Sequence, residues 1–194
     1  QVEGAWYYLG GDGAMTTGWA QIGNSWYYFN TNGVMQSDKW ISSGGQWFRL
    51  GDSGAMVTST WLSQGGSWYY FYADGSMATG WARLGGTWYY FGTNGIMVTN
   101  RWIDNCYLQG DGSMATGWAK AGGTWYRFSG SGRWISVYRD PGVYSCPDWA
   151  PIKGNKESMI YHRPGQHSYN KTKPEECFAY GSDAEAAGYR AAKR

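Results

Sequence analysis

The side chains with chemical reach in this sequence are tryptophans. Fourteen fall among 194 residues, and they recur in pairs seven residues apart, such as Trp81 and Trp88. These two flank a Gly85-Gly86 turn, and Tyr107 follows in the next segment of the same kind. In a stack of such segments the three rings close three sides of a box, with a loop methionine as floor. Such a box holds a quaternary ammonium, which needs no hydrogen bonds. Each ring face then contributes roughly 0.5–2 kcal/mol of cation–π attraction. The repeats carry few acids, which fits a cage rather than an ion pair. Two other readings stay open: aromatic platforms also stack on the apolar faces of sugar rings, and the rings could be only the glue between segments.

No catalytic constellation accompanies the aromatics. Serines, histidines and acids are scattered without the spacing of a triad, and no carboxylate pair stands out on one element. Cys146 and His162 form a thiol–base pair on paper only. His162 with Cys146 and Cys177 is a weak metal set. The sequence therefore reads as non-catalytic, with any catalytic domain upstream of Gln1.

The elements that must position the tryptophans are read from Gly80–Asn100. A Gly-Trp pair opens the segment, Gly85-Gly86 turns it, Trp88-Tyr89-Tyr90-Phe91 follows, and Asn94-Gly95 leads to Met97. Two extended runs about Gly-Gly predict a β-hairpin, and Asn-Gly is a strong turn signal. One hairpin cannot bury its own apolar face, but a stack can. The unit recurs every 20 or 21 residues, from Trp19 to Met35, Trp40 to Met56, Trp61 to Met77 and Trp81 to Met97. Half a unit precedes these at Trp6–Met15. The sixth, Trp102 to Met114, has lost four turn residues and its second tryptophan. The seventh returns to pattern at Trp118 and Trp125, with Trp134 in the methionine place. Strand alternation puts Trp88 and Tyr90 on one face and Tyr89 and Phe91 on the other. The second face suits a core. The first admits Arg49, Asn105 and Arg127 and must reach solvent or a shared groove.

The expected fold class is all-β: a β-hairpin repeat solenoid over residues 1–135, a linker at 136–151 that could equally begin as the first strand of another module, and a small α+β domain at 152–194. In the tail, Met159–His162 and Cys177–Tyr180 predict strands. Ser182 with Glu185 predicts a capping box on a short helix that Gly188 ends. So small a domain needs a staple, and Cys146 with Cys177 offers a disulfide. Cys106 reads as a buried small hydrophobe.

Composition excludes several classes. A net charge of +2 gives no strong case for nucleic acid, and Lys153, Lys156, Lys171 and Lys173 read as a solvated basic loop. No apolar run is long enough to span a membrane. No cofactor is implied. The open aromatic end at the first half-unit suggests a weak homodimer.

The Gly-Trp…Trp-Tyr-Tyr-Phe…Gly-x-Met-x-Thr-Gly pattern at 18–37 and 80–99 resembles the choline-binding or cell-wall-binding repeat family, whose relatives include glucan-binding regions. The resemblance covers residues 5–134. It implies a secreted protein at the bacterial cell surface and a phosphocholine ligand on teichoic acid, with glucan or another glycan as the alternative. It also implies a cage from the Gly-Trp tryptophan, the first Trp of the aromatic run and an aromatic of the next unit. Carried over, the cages are Trp40, Trp47 and Tyr70; Trp61, Trp68 and Tyr90; and Trp81, Trp88 and Tyr107, with Met56, Met77 and Met97 as floors. The second Tyr of each run is chosen from strand alternation; the first is the alternative. Trp19 and Trp26 begin a further cage that Arg49 is expected to spoil, and the cage at Trp102 is expected to be dead. The tail, through Gly154-Asn155-Lys156, Ile160-Tyr161-His162, Pro164-Gly165 and Ala187–Arg190, resembles the sunset domain. Gln166 stands where zinc-binding relatives place a Cys.

Overall fold

The computed structural model describes residues 1–139 and 143–193. It divides into two compact units, Gln1–Ala82 with Tyr90–Met97, and Arg83–Tyr89 with Val98–Arg194. The division runs through the fifth repeat.

Six two-stranded hairpins form among the described residues. They are β1 (Gly18–Ile22) with β2 (Ser25–Phe29), β3 (Lys39–Ser43) with β4 (Gln46–Leu50), β5 (Thr60–Gln64) with β6 (Ser67–Phe71), β7 (Gly80–Leu84) with β8 (Thr87–Phe91), β9 (Arg101–Ile103) with β10 (Cys106–Leu108), and β11 (Gly117–Ala121) with β12 (Thr124–Phe128). The turns explain the glycine content. Gly65 and Gly66 have φ of 59° and 77°, and of the two-residue connections that follow strand twist, the type I′ turn needs positive φ at both positions. The sixth repeat keeps only three residues per strand, as its shortened sequence predicts, and turns at Asp104 and Asn105.

Each hairpin is fastened to its predecessor by one backbone bond. In the first unit the amides of Met35, Met56, Met77 and Met97 donate to the carbonyls of Trp6, Trp26, Trp47 and Trp68, each at 2.8 Å. In the second unit the amides of Met114 and Trp134 donate to the carbonyls of Trp88 and Asn105, also at 2.8 Å. The last residue of each aromatic run is buried: Phe29, Leu50, Phe71, Phe91, Leu108 and Phe128. These side chains fill the interior of the repeats in each unit, and methionine side chains lie against the turn glycines of the following repeat. A Cβ on Gly75 would collide with the Met56 thioether.

The second unit continues past the repeats. Strand β13 (Trp134–Tyr138) pairs antiparallel with β12 and also with β16 (Glu176–Phe178). Strands β14 (Ile152–Asn155), β15 (Ile160–His162) and β17 (Arg190–Ala191) complete a sheet of order β11-β12-β13-β16-β14-β15-β17. Residues 136–138, expected in a linker or in the first strand of another module, belong to a strand shared by the last hairpin and the tail; residues 140–142 of that stretch lie outside the described residues. Cys146 and Cys177 form the disulfide. Helix α1 (Gly181–Ala186) forms where expected, and Gly188, with φ of 92°, follows it. The capping box does not form: the N-cap is Tyr180 without a side-chain cap bond. Glu185 accepts instead from the Tyr161 hydroxyl at 2.7 Å. The fold class expected from sequence, all-β hairpin repeats with a small α+β tail, is the fold observed.

Candidate aromatic cages

Strand register decides which rings meet. Within a hairpin the Gly-Trp tryptophan lies opposite the third residue of the aromatic run: Trp19 with Tyr28, Trp40 with Arg49, Trp61 with Tyr70. Opposite residues share a face. That face of one hairpin packs on the other face of the next, where the first Tyr and the Phe of the run point. Trp40 accordingly meets Tyr69 at 5.1 Å and Phe71 at 5.6 Å between ring centroids. Trp19 meets Phe48 at 5.1 Å.

Two cages follow in the first unit. Trp40 and Trp47 of the third repeat, Tyr69 and Met77 of the fourth, and Asn94 of the fifth line a cavity of about 250 Å³. The Trp40 indole is held in place by its N–H, which donates to Gln64 Oε1 at 3.1 Å. Trp47 is 46% exposed, leaving one ring face open to a ligand. No charged side chain lines this cavity. One repeat earlier, Trp19, Trp26, Phe48 and Met56 take the same places in a cavity of about 630 Å³, and Asp74 stands at the position of Asn94. The Asp74 carboxyl is held below its ordinary pKa by hydrogen bonds from Ser76, so it carries its charge well into acid.

Two expectations change. Tyr69 rather than Tyr70 lines the cavity of Trp40 and Trp47, and Tyr70, Tyr90 and Tyr107 have aromatic partners within their own repeats. Each packs against the tryptophan opposite it in its own hairpin: Trp61 with Tyr70, Trp81 with Tyr90 and Trp102 with Tyr107, all at 5.3 Å. The reason is that successive hairpins stack unlike faces, so the second Tyr of a run points onward, away from the preceding pair. Tyr107 is in addition buried with Ala115, Ala119, Ala121 and Phe128, and the place equivalent to Tyr69 in that repeat is Cys106. Second, Arg49 does not enter the cage of Trp19 and Trp26. It is buried opposite Trp40, where it pairs with Asp38 and donates to the Leu50 carbonyl. The floor methionines, expected without assignment to particular cages, come from the later repeat: Met56 lines the cavity of Trp19 and Trp26, and Met77 that of Trp40 and Trp47.

The remaining expected residues fall as follows. Trp61 and Trp68 stand edge to face at 6.3 Å, and the Met97 amide bonds the Trp68 carbonyl. Trp81 belongs to the first unit and Trp88 to the second. Trp102 has no tryptophan partner in its hairpin and packs on Tyr126 and Phe128 at 5.1 and 5.5 Å. Cys106 is a free thiol whose pKa is raised by burial and by Asp104. The described residues hold no cluster of three or more metal-ligating side chains. Asn94 and Asp74 are the residues that sequence reasoning missed. The signal was present: both immediately precede the glycine of the turn two repeats beyond their tryptophans.

This arrangement has relatives. A choline-binding repeat family model matches residues 16–61 and 63–102, and a cell wall binding repeat model matches 1–15 and 116–133. A model described as ArfC matches 141–191. No curated protein sequence matches the chain. Among solved structures, the chain is 33% identical to the choline-binding domain of CbpL from Streptococcus pneumoniae, covering 69% of this chain and 74% of that one, with a TM-score of 0.60. Choline binding protein F from the same organism is 35% identical over 78% of this chain and 53% of its own, with a TM-score of 0.61. The modular autolysin LytC, also pneumococcal, is 37% identical over 70% of this chain and 33% of its own, with a TM-score of 0.59. The chain thus spans about half the length of protein F and a third of LytC. With its hairpin register, its tryptophan pairs and these matches, the chain belongs to the choline-binding repeat family.

Proposed function

We propose that this chain is a non-catalytic attachment module that holds choline-decorated polymer of a bacterial cell wall, teichoic acid above all. The observation that carries the reading is the box of Trp40, Trp47, Tyr69 and Met77, which presents ring faces and a thioether without a charged lining residue. A trimethylammonium group has no hydrogen bond to lose there and gains from each ring. The cage of Trp19, Trp26, Phe48 and Met56 supplies a second site in the same unit. Weak sites on one polymer act together through effective concentration, which suits retention on a surface. A catalytic role is left to other domains, as in the modular autolysin. No helix among the described residues is long and apolar enough to cross a membrane, and wall retention through choline needs none.

Calorimetric titration of the chain with choline, beside an α-glucan oligosaccharide, tests this. Saturable heat with choline is expected, at millimolar affinity or somewhat tighter. Trp40→Ala with Trp47→Ala is expected to remove one site and leave the fold intact by circular dichroism. Undiminished stoichiometry in that variant, or silence with choline, overturns the proposal.

A further inference from the structure

The tryptophan pair of the seventh repeat is answered by different chemistry. After Trp118 and Trp125, β12 pairs with β13 rather than with nothing, and the sheet runs on into the tail. Register and alternation place Trp118, Trp125, Arg127, Tyr138 and Glu176 on one face of β11-β12-β13-β16. With Lys156 they line a cavity of about 710 Å³. Trp118 and Trp125 are 43% and 47% exposed, whereas Glu176 is only 5% exposed. The Glu176 carboxylate is fixed from three sides. Ser136 Oγ donates to it at 2.9 Å, the Tyr189 hydroxyl donates at 3.3 Å, and the Arg127 guanidinium lies 3.9 Å away.

The lining differs in kind from that of the Trp40 cage, which has no charged member. Here the acids Glu175 and Glu176 share the wall with the bases Arg127 and Lys156. Their charges offset, so no net field draws in an ion. An ammonium would meet the two bases, and a phosphate would meet the two carboxylates. A polyhydroxylated ring suits both halves of this surface. Its hydroxyls donate to carboxylates and accept from guanidinium and ammonium groups side by side, and its apolar face stacks on an exposed indole. The volume lies within the range of small-molecule pockets. Glu176 is held rigidly, so little conformational freedom is lost on binding.

We infer that the junction of the last repeat and the tail is a binding site for a short neutral saccharide, distinct from the ammonium cages and independent of whether those take choline. The test uses the whole chain. Calorimetric titration with N,N′-diacetylchitobiose, and separately with maltose, is carried out in the absence of choline and in its saturating presence. Saturable heat with either sugar, unchanged by choline, is expected. Trp125→Ala is expected to weaken that sugar about tenfold or more while leaving the choline isotherm in place, which also shows that the variant is folded. Trp47→Ala is expected to do the reverse. Silence with both sugars, displacement of sugar by choline, or sugar binding indifferent to Trp125→Ala each overturns the inference. The sugar isotherms are read whether or not the cages bind choline, and circular dichroism of Trp125→Ala shows the variant folded independently of the choline isotherm.

Discussion

A single position along an aromatic run separates a ring that lines a cavity from one that packs within its own hairpin. Tyr69 closes the cage of Trp40 and Trp47, whereas Tyr70 packs on Trp61. Tyr69→Ala should therefore lower choline affinity at one site about tenfold, read as a lost or weakened class of sites in calorimetry. Tyr70→Ala should leave the Trp40 site's affinity unchanged and cost stability through the lost Trp61 contact. Equal effects of the two on choline would show that the register argument misassigns the third wall. The pair Asp74 and Asn94 makes a second comparison. With its carboxylate at the rim, the Trp19 cage should bind choline more weakly as salt rises, and Asp74→Asn should abolish that salt dependence; the Trp40 cage, with Asn94, should show none. The tryptophans of these sites were legible in the sequence because their spacing repeats. The third wall was not, because alternation assigns each side chain a face but says nothing of which face the neighbouring hairpin presents. Arg49 misled for the same reason: its charge is visible in sequence, but its partner Asp38 and its burial opposite Trp40 are not.

At the scale of the hairpin, the small residues are as specific as the large ones. Gly75 combines a φ of 80° with a methionine thioether pressed against its Cα. Gly75→Ala is expected to destabilise the first unit by about 1 kcal/mol or more, through backbone strain and overpacking together, seen as a lowered Tm. The tail is held by its disulfide, whose half-cystines stand 31 residues apart. Reduction should cost that region about 3 kcal/mol, measured as a shift in its denaturant midpoint. The tail also carries a pH dependence. Burial, with Lys153 nearby, holds His162 below its ordinary pKa of 6.5. The unfolded chain then binds more protons than the folded one as pH falls below that value, so the tail loses stability from there downward until the folded pKa is passed. Denaturant midpoints at pH ~7.5 and ~5 should differ in that direction, and His162→Phe should flatten the difference. The strands and helix of this region were largely legible, from hydrophobic runs bounded by Pro-Gly and from Gly188. The strand β13 was legible only as an alternative to a linker, and its partner was not, since Glu176–Phe178 lies some forty residues onward and no local pattern announces a pairing at that separation.

For the molecule as a whole, ligand and stability should be linked. A ligand that binds only the folded repeats stabilises by about 2.7 kcal/mol per site at a hundredfold excess over Kd. Choline is therefore expected to raise Tm progressively with concentration, and a neutral isostere without the positive charge to do so far less. The joints between repeats bear on how such a protein changes over generations. Each is a backbone amide meeting a backbone carbonyl, and the joint from Trp134 to Asn105 keeps its 2.8 Å even though asparagine has replaced the usual tryptophan. The connection is blind to the side chain above it. Point changes can erase one cage without loosening the stack, and duplication or excision of a whole repeat leaves each new neighbour the same bond to make. Repeat number and cage number are thus free to drift separately, and a lineage can change how many cages the stack carries by copying or silencing modules one at a time.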